Sequence, residues 1–170
     1  MNLFIGNGLI VDPEYGSAVP GGLMIENGII TGIIFDHKEK ERNVSAKTSG
    51  SAGAEETKRC GEKEGELFID ARGKWIVPGL IDLHVHLREP GFEYKEDIES
   101  GCAAAAKGGF TTICCMPNTS PVIDCPDIVR LIDKRAKEGN GVQLLCIGAV
   151  TKGQEGKDTA DYEGMVSAQT

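Results

Sequence analysis

Residues 81–88 read Ile81-Asp82-Leu83-His84-Val85-His86-Leu87-Arg88, a strict alternation of apolar and polar side chains. Side chains of a strand alternate between two faces with a period of two. The pattern therefore predicts one strand with Asp82, His84, His86 and Arg88 on one face. Ile81, Leu83, Val85 and Leu87 take the other face. Two imidazoles two residues apart, followed by an arginine, point to a metal site beside an anion site. Neutral imidazole is the commonest metal ligand, and zinc accepts it readily. An H-x-H spacing alone also fits core hydrogen bonding. A face carrying four polar side chains does not fit simple packing, because burying unpaired polar groups costs several kcal/mol.

The surrounding sequence supplies a fold for this strand. Asp97 to Lys107 reads as a helix, with Cys102 and Ala103 to Ala106 as a small-residue face and Gly108 as its stop. Phe110 to Met116 reads as a buried strand halted by Pro117. Asp124-Cys125-Pro126 opens a second helix with proline in its first turn. Ile128, Leu131, Ile132 and Ala136 fall on one face of it, and Gly139 ends it. Val142 to Val150 is a third strand, and a further helix begins near Asp161. Strands alternating with helices imply parallel pairing with right-handed crossovers. Either a (β/α)8 barrel or an open doubly wound sheet satisfies this order. Both place active-site residues at the C-terminal ends of strands.

Residues 1–35 read as short strands with glycine turns, and Asn27-Gly28 favours a two-residue type I′ hairpin. Residues 36–66 differ sharply. Fifteen of those 31 residues are charged, and no helical or strand period runs through them. Such a segment cannot bury enough apolar surface to offset its ordering entropy, so a solvated, mobile insertion is expected. His37 at its edge reads as a surface residue. The expected division is a β-rich segment over 1–74 and an α/β segment over 75–170.

Composition narrows the function classes. A formal net charge of −8 argues against a nucleic-acid partner, which needs a basic patch. No apolar run reaches the length of about 18 residues that a membrane helix requires. The first residues lack a basic region followed by a long apolar one, so no signal peptide is expected. The six cysteines show no C-x-x-C pair. Together these predict a cytoplasmic chain with reduced thiols, most of them small buried hydrophobes.

Two more side chains join the histidines. Arg88 offers a planar fork suited to a carboxylate, or to an ion pair with Glu89. Asn118, at the end of the next strand, either reaches the same pocket mouth or forms the turn before Ser120-Pro121. Asp82 either supports a ligand from behind or closes the floor of the sheet. No phosphate-binding loop and no nucleophile elbow is present.

Val77-Pro78-Gly79-Leu80-Ile81-Asp82-Leu83-His84-Val85-His86-Leu87-Arg88-Glu89-Pro90-Gly91 resembles the first barrel strand of a dihydroorotase, an amidohydrolase-superfamily enzyme. Cys115-Met116-Pro117-Asn118-Thr119-Ser120-Pro121-Val122-Ile123-Asp124 is similar to the second-strand motif of the same family. The resemblance covers residues 67 to about 165 and, in type, residues 1–35. It implies the N-terminal part of a (β/α)8 TIM-type barrel behind a small, sandwich-like β-rich segment. It implies His84 and His86 as zinc ligands, with one or two Zn2+ ions in the complete protein. It also implies His86, Arg88 and Asn118 as substrate-binding residues for dihydroorotate or N-carbamoyl-aspartate. The reaction would be their reversible interconversion in pyrimidine synthesis, and a homodimer or association with aspartate transcarbamoylase is compatible with it.

The 96 residues from Trp75 to Thr170 supply about three strands, whereas a barrel takes roughly 200 residues or more. The later ligands and the general acid–base aspartate of the family are expected beyond residue 170, so no catalytic residue is assigned within the chain. The chain alone is then expected to be inactive. Three alternatives remain: an allantoinase- or hydantoinase-type cyclic amidase, a non-catalytic dihydroorotase-like scaffold subunit, and a short self-contained α/β protein.

Overall fold

The computed structural model describes residues 2–12, 16–35, 66–138 and 141–169. His37, Gly139 and all but the last residue of the charged insertion lie outside the described residues. The chain is mixed α/β and divides into two compact units, Met1–Pro78 and Gly79–Thr170.

The first unit is one sheet among the described residues. It contains β1 (Asn2–Asp12), β2 (Ser17–Glu26), β3 (Ile29–Phe35), β4 (Glu66–Asp70) and β5 (Trp75–Ile76). The order is β3-β2-β1-β4, with β5 also on β1. The hairpins β1–β2 and β2–β3 are antiparallel, whereas β4 and β5 run parallel to β1. The β2–β3 connection is the expected two-residue turn: Asn27 and Gly28 take φ of 51° and 81°. A type I′ turn requires positive φ at both positions, which is why Asn-Gly serves there. Trp75 and Ile76 pair with Leu9 and Ile10, so they belong to this sheet.

The second unit alternates β6 (Leu80–Val85), α1 (Ile98–Lys107), β7 (Phe110–Cys115), α2 (Pro126–Lys137), β8 (Gln143–Cys146) and α3 (Tyr162–Ala168). The three strands are parallel in the order β6-β7-β8. Asp97 caps α1 by accepting from the Ser100 amide at 2.8 Å. The left-handed glycine after α1 is Gly109, one residue later than expected, because Gly108 still has helical backbone angles. Pro126 opens α2 as its first residue.

The core lies where the helices cover the sheet. Ile98, Cys102, Ile113, Cys115, Ile123, Val129, Ile132 and Leu144 are buried together there. Two expectations are corrected. The buried face of α2 carries Val129 and Ile132, with Ile128 and Ala136 at its margin, while Leu131 is exposed. Val129 lies three residues before Ile132, so it satisfies the same helical period and takes the inner position. The third strand is shorter than the apolar run suggested. After Cys146 the chain leaves the ladder, and Ala149 N donates to Ile123 O, in the loop before α2.

Candidate functional site

The ladder between β6 and β7 is irregular where the histidines sit. Asp82 pairs with Ile113 and Val85 with Cys115, so three steps on β6 face two on β7. An extra residue bends a strand and re-aims its side chains. The strict alternation therefore fails. Val85 and Leu87 reach the core, but Ile81 and Leu83 are 62% and 68% exposed. The strand ends at Val85, so His86 and Arg88 lie beyond it.

Arg88 occupies a tight turn of its own. Its φ is 67°, and the Glu89 amide donates to Leu87 O at 2.7 Å across it. This is a positive-φ γ-turn, a rare and strained conformation for a residue with a side chain. The turn carries Arg88 past the strand end instead of along its face. The expected strand face thus holds for His84 and His86, whose rings meet, while a bulge and a turn interrupt its continuation from Asp82 to Arg88.

The following loop packs on the loop after β7. The Ser120 amide donates to Pro90 O at 2.8 Å. Gly91 has φ of 98°, and a Cβ there would lie 2.1 Å from Ser120 O, so only glycine fits. This contact brings Asn118 to the histidines. His86 Nδ1 and Asn118 Oδ1 are 2.9 Å apart, and the His84 and His86 rings meet edge-on with centroids 5.2 Å apart. With Oδ1 accepting, Nδ1 carries the proton and Nε2 keeps its lone pair for a ligand. The Asn118 NH2 remains a donor. Both histidines and Asn118 are exposed, and Arg88 is half-buried.

Glu89 does not pair with Arg88. Its Oε1 accepts from Arg135 Nε at 2.9 Å, and its Oε2 accepts from the Ile98 amide at 2.9 Å. One carboxylate thus ties the loop to the start of α1 and to α2. Among the described residues no ion pair involves Arg88. Asp82 uses Oδ1 to accept from the His84 backbone amide at 3.0 Å, so it supports the bulge and not an imidazole.

The donor set fits half of a zinc site. Two imidazoles stand at the C-terminal end of a parallel strand. No third histidine, cysteine or carboxylate joins them among the described residues. A catalytic zinc takes three protein ligands.

Residues 73–170 match the model of the dihydro-orotase-like family. The chain belongs to that family. It is 42% identical over 168 residues to the dihydroorotase of Pelobacter propionicus, covering 99% of this chain and 34% of that protein. A 98-residue stretch is 54% identical to the dihydroorotase of Caldicellulosiruptor saccharolyticus, covering 58% of this chain and 23% of that one. Among solved structures, a D-hydantoinase from Thermus sp. superposes with a TM-score of 0.62 at 26% identity, covering 97% of this chain and 30% of that one. The L-hydantoinase of Arthrobacter aurescens shares the fold, with a TM-score of 0.63 at 19% identity over 98% of this chain and 37% of that one. The family member described here spans about a third of the length of the curated relatives it matches. Among the described residues no helix is long and apolar enough to cross a membrane.

The γ-turn at Arg88 and the Glu89–Arg135 pair escape sequence reading. The first leaves a weak local signal, the Pro90-Gly91 turn behind it. The second joins residues 46 positions apart and leaves none.

Proposed function

We propose that this chain contributes the first half-site of a zinc-dependent dihydroorotase, interconverting N-carbamoyl-L-aspartate and L-dihydroorotate. Residues from Gly79 onward form the opening three β/α units of a (β/α)8 barrel, and the residues before them form its β-rich companion. His84 and His86 would hold Zn2+. When bound, zinc would polarise the ring carbonyl and lower the pKa of a water. Arg88 and Asn118 take the free carboxylate of the substrate, Arg88 through its two-pronged fork and Asn118 through its NH2. His86 borders that carboxylate as well as the metal. The general acid–base group lies outside residues 1–170 in this reading, so the chain alone is inactive.

The observation that carries the proposal is the His86–Asn118 hydrogen bond. It ties a metal-type ligand at one strand end, two residues before Arg88, to a carboxylate-type donor at the next, and Arg88 has no ion-pair partner among the described residues. A hydantoinase-type amidase is the second reading, favoured by the likeness to the Thermus enzyme. A cyclic amide lacking the ring carboxylate has no use for Arg88 and Asn118 together.

Fusing residues 1–170 to the C-terminal two-thirds of the Pelobacter relative separates the readings. The chimera is expected to turn over dihydroorotate in preference to hydantoin. Arg88→Ala should raise KM for dihydroorotate far more than it lowers kcat. Preference for hydantoin, with Arg88→Ala silent, would contradict the proposal. Turnover of dihydroorotate by the 170-residue chain with zinc added would refute its inactivity alone.

A further inference from the structure

Four cysteines of the second unit lie on or against its strands, and the proposed reaction uses none of them. Cys115 and Cys146 are direct register partners on the parallel strands β7 and β8. Their sulfurs are 3.9 Å apart and share a hydrogen bond. Cys115 is 3% exposed and Cys146 is half-buried on β8, an outer strand of the described sheet. The Gln169 amide, oriented by its partners, accepts from Cys146 N at 2.8 Å and donates to Cys146 O at 3.3 Å. The backbone at Cys146 is therefore held on both sides.

We propose that Cys115 and Cys146 form a hydroperoxide-sensitive dithiol that closes to a disulfide joining β7 to β8. Paired residues on neighbouring strands lie about 4.8 Å apart, inside the roughly 4.4–6.8 Å Cα separation that a disulfide spans. Closure brings sulfurs now 3.9 Å apart to about 2.05 Å, by side-chain rotation together with a small approach of the two strands. The pair also has unequal acidity. The hydrogen bond shared with Cys146 holds the Cys115 thiol below its ordinary pKa, while that same bond, burial and the neighbouring sulfur push the Cys146 thiol up. Burial raises Cys102 and Cys114, so neither competes as a thiolate. Cys115 is the thiolate that reacts first.

The oxidant is hydrogen peroxide, small enough to enter between packed side chains. The Cys115 thiolate attacks one peroxide oxygen, breaking the O–O bond, and gives a sulfenic acid and hydroxide. Cys146 sulfur then attacks Cys115 sulfur and expels the sulfenic hydroxyl. The Cys146 proton and the proton first lost from Cys115 complete two waters. Two thiols and one peroxide become one disulfide and two waters.

The test uses the folded 170-residue chain, with circular dichroism recorded before and after brief peroxide exposure. After blocking of free thiols, tryptic peptides 108–130 and 138–152 carry Cys115 and Cys146 respectively. The expected product is a reducible link between these peptides, located by fragmentation at Cys115, with a loss of two hydrogen atoms and secondary structure retained. Cys146→Ser should abolish the link and leave a sulfenic acid at Cys115 that a dimedone-type reagent captures. Three results on the wild-type chain would each overturn the proposal. These are a link through Cys114 or Cys125, a sulfinic acid at Cys115 with Cys146 still free, and both thiols intact after an exposure that oxidises the half-buried Met24.

Discussion

The unit from Met1 to Pro78 and the unit from Gly79 to Thr170 bury their apolar residues very differently. In the first, Phe4, Ile10 and Ala71 are buried, while Ile29, Ile33, Phe35, Leu67, Ile69 and Trp75 stand exposed. In the second, Ile98, Cys102, Ile113, Ile123, Val129 and Ile132 all fall to 2% exposure or less. The cause is topological. Hydrogen bonding strands edge to edge satisfies the backbone but covers no face. Each parallel crossover in the second unit instead brings a helix back onto the sheet. The same contrast recurs inside the second unit, where Ile113 and Cys115 on β7 are covered and Ile81 and Leu83 on β6 are bare. The loops that bear His86, Arg88 and Asn118 thus belong to the unit with the better-buried core.

The largest effect expected from this contrast is in the core of the second unit. Ile132→Ala should cost about 2–5 kcal/mol, as buried isoleucine truncations do, and should lower the urea midpoint accordingly. Ile33→Ala, half exposed on β3, should stay within about 0.5 kcal/mol. Equal losses would show that the two units are buried alike.

Glu89→Ala comes next. The carboxylate is only 12% exposed and serves both the Ile98 amide and Arg135. Its removal should cost about 1–3 kcal/mol, because it leaves a helix-terminal amide without an acceptor. Amide exchange at Ile98 should accelerate more than exchange in the middle of β7. Unchanged exchange there would show that water replaces the carboxylate freely.

Arg88→Gly should do the opposite and stabilise the chain by about 1 kcal/mol, since glycine takes positive φ without strain. The same change removes the proposed carboxylate anchor, so stability and substrate affinity should move in opposite directions. A loss of stability would mean that the arginine side chain makes a contact stronger than the strain it imposes.

The smallest effect concerns acid. The Ser100 amide, and then its hydroxyl, hold the Asp97 carboxyl below its ordinary value of 3.8. A lowered folded-state pKa means that the cap stabilises α1 fully above the unfolded value. That support fades as pH falls through and below it. Melting curves at pH 6 and pH 3 should differ less for Asp97→Asn than for the wild type. An equal difference would locate the acid sensitivity elsewhere.

Much of this was legible in the sequence wherever a residue type had one physical use. The Asn27-Gly28 turn and Pro126 at the start of α2 follow from local chemistry, whereas Asp97, read as the first residue of a helix, is its cap. The order of strands and helices in the second unit follows from the apolar periods. Residues 81–88 show where such reading stops. Their alternation continues through Arg88, but the chain bulges between Asp82 and Val85 and turns at Arg88. Those departures answer to contacts across the fold: Leu87 entering the core, Gly91 against Ser120, and Glu89 reaching Arg135. The choice of Val129 over Leu131 on α2 is likewise made by neighbours, because both fit a helical period.

In the proposed function His84 and His86 are two ligands of one metal, with Asn118 setting the tautomer of His86. Nitrogen-15 NMR of the histidine rings during zinc titration of the 170-residue chain tests it most directly. A protonated His86 Nδ1 is expected before zinc is added, then zinc-dependent shifts at both imidazoles, with metal on His86 Nε2. His84→Ala should weaken the response of His86, and Asn118→Ala should let its tautomers mix. Zinc that leaves both imidazoles unmoved, or a His86 ring already protonated at Nε2 and bare at Nδ1, would contradict it.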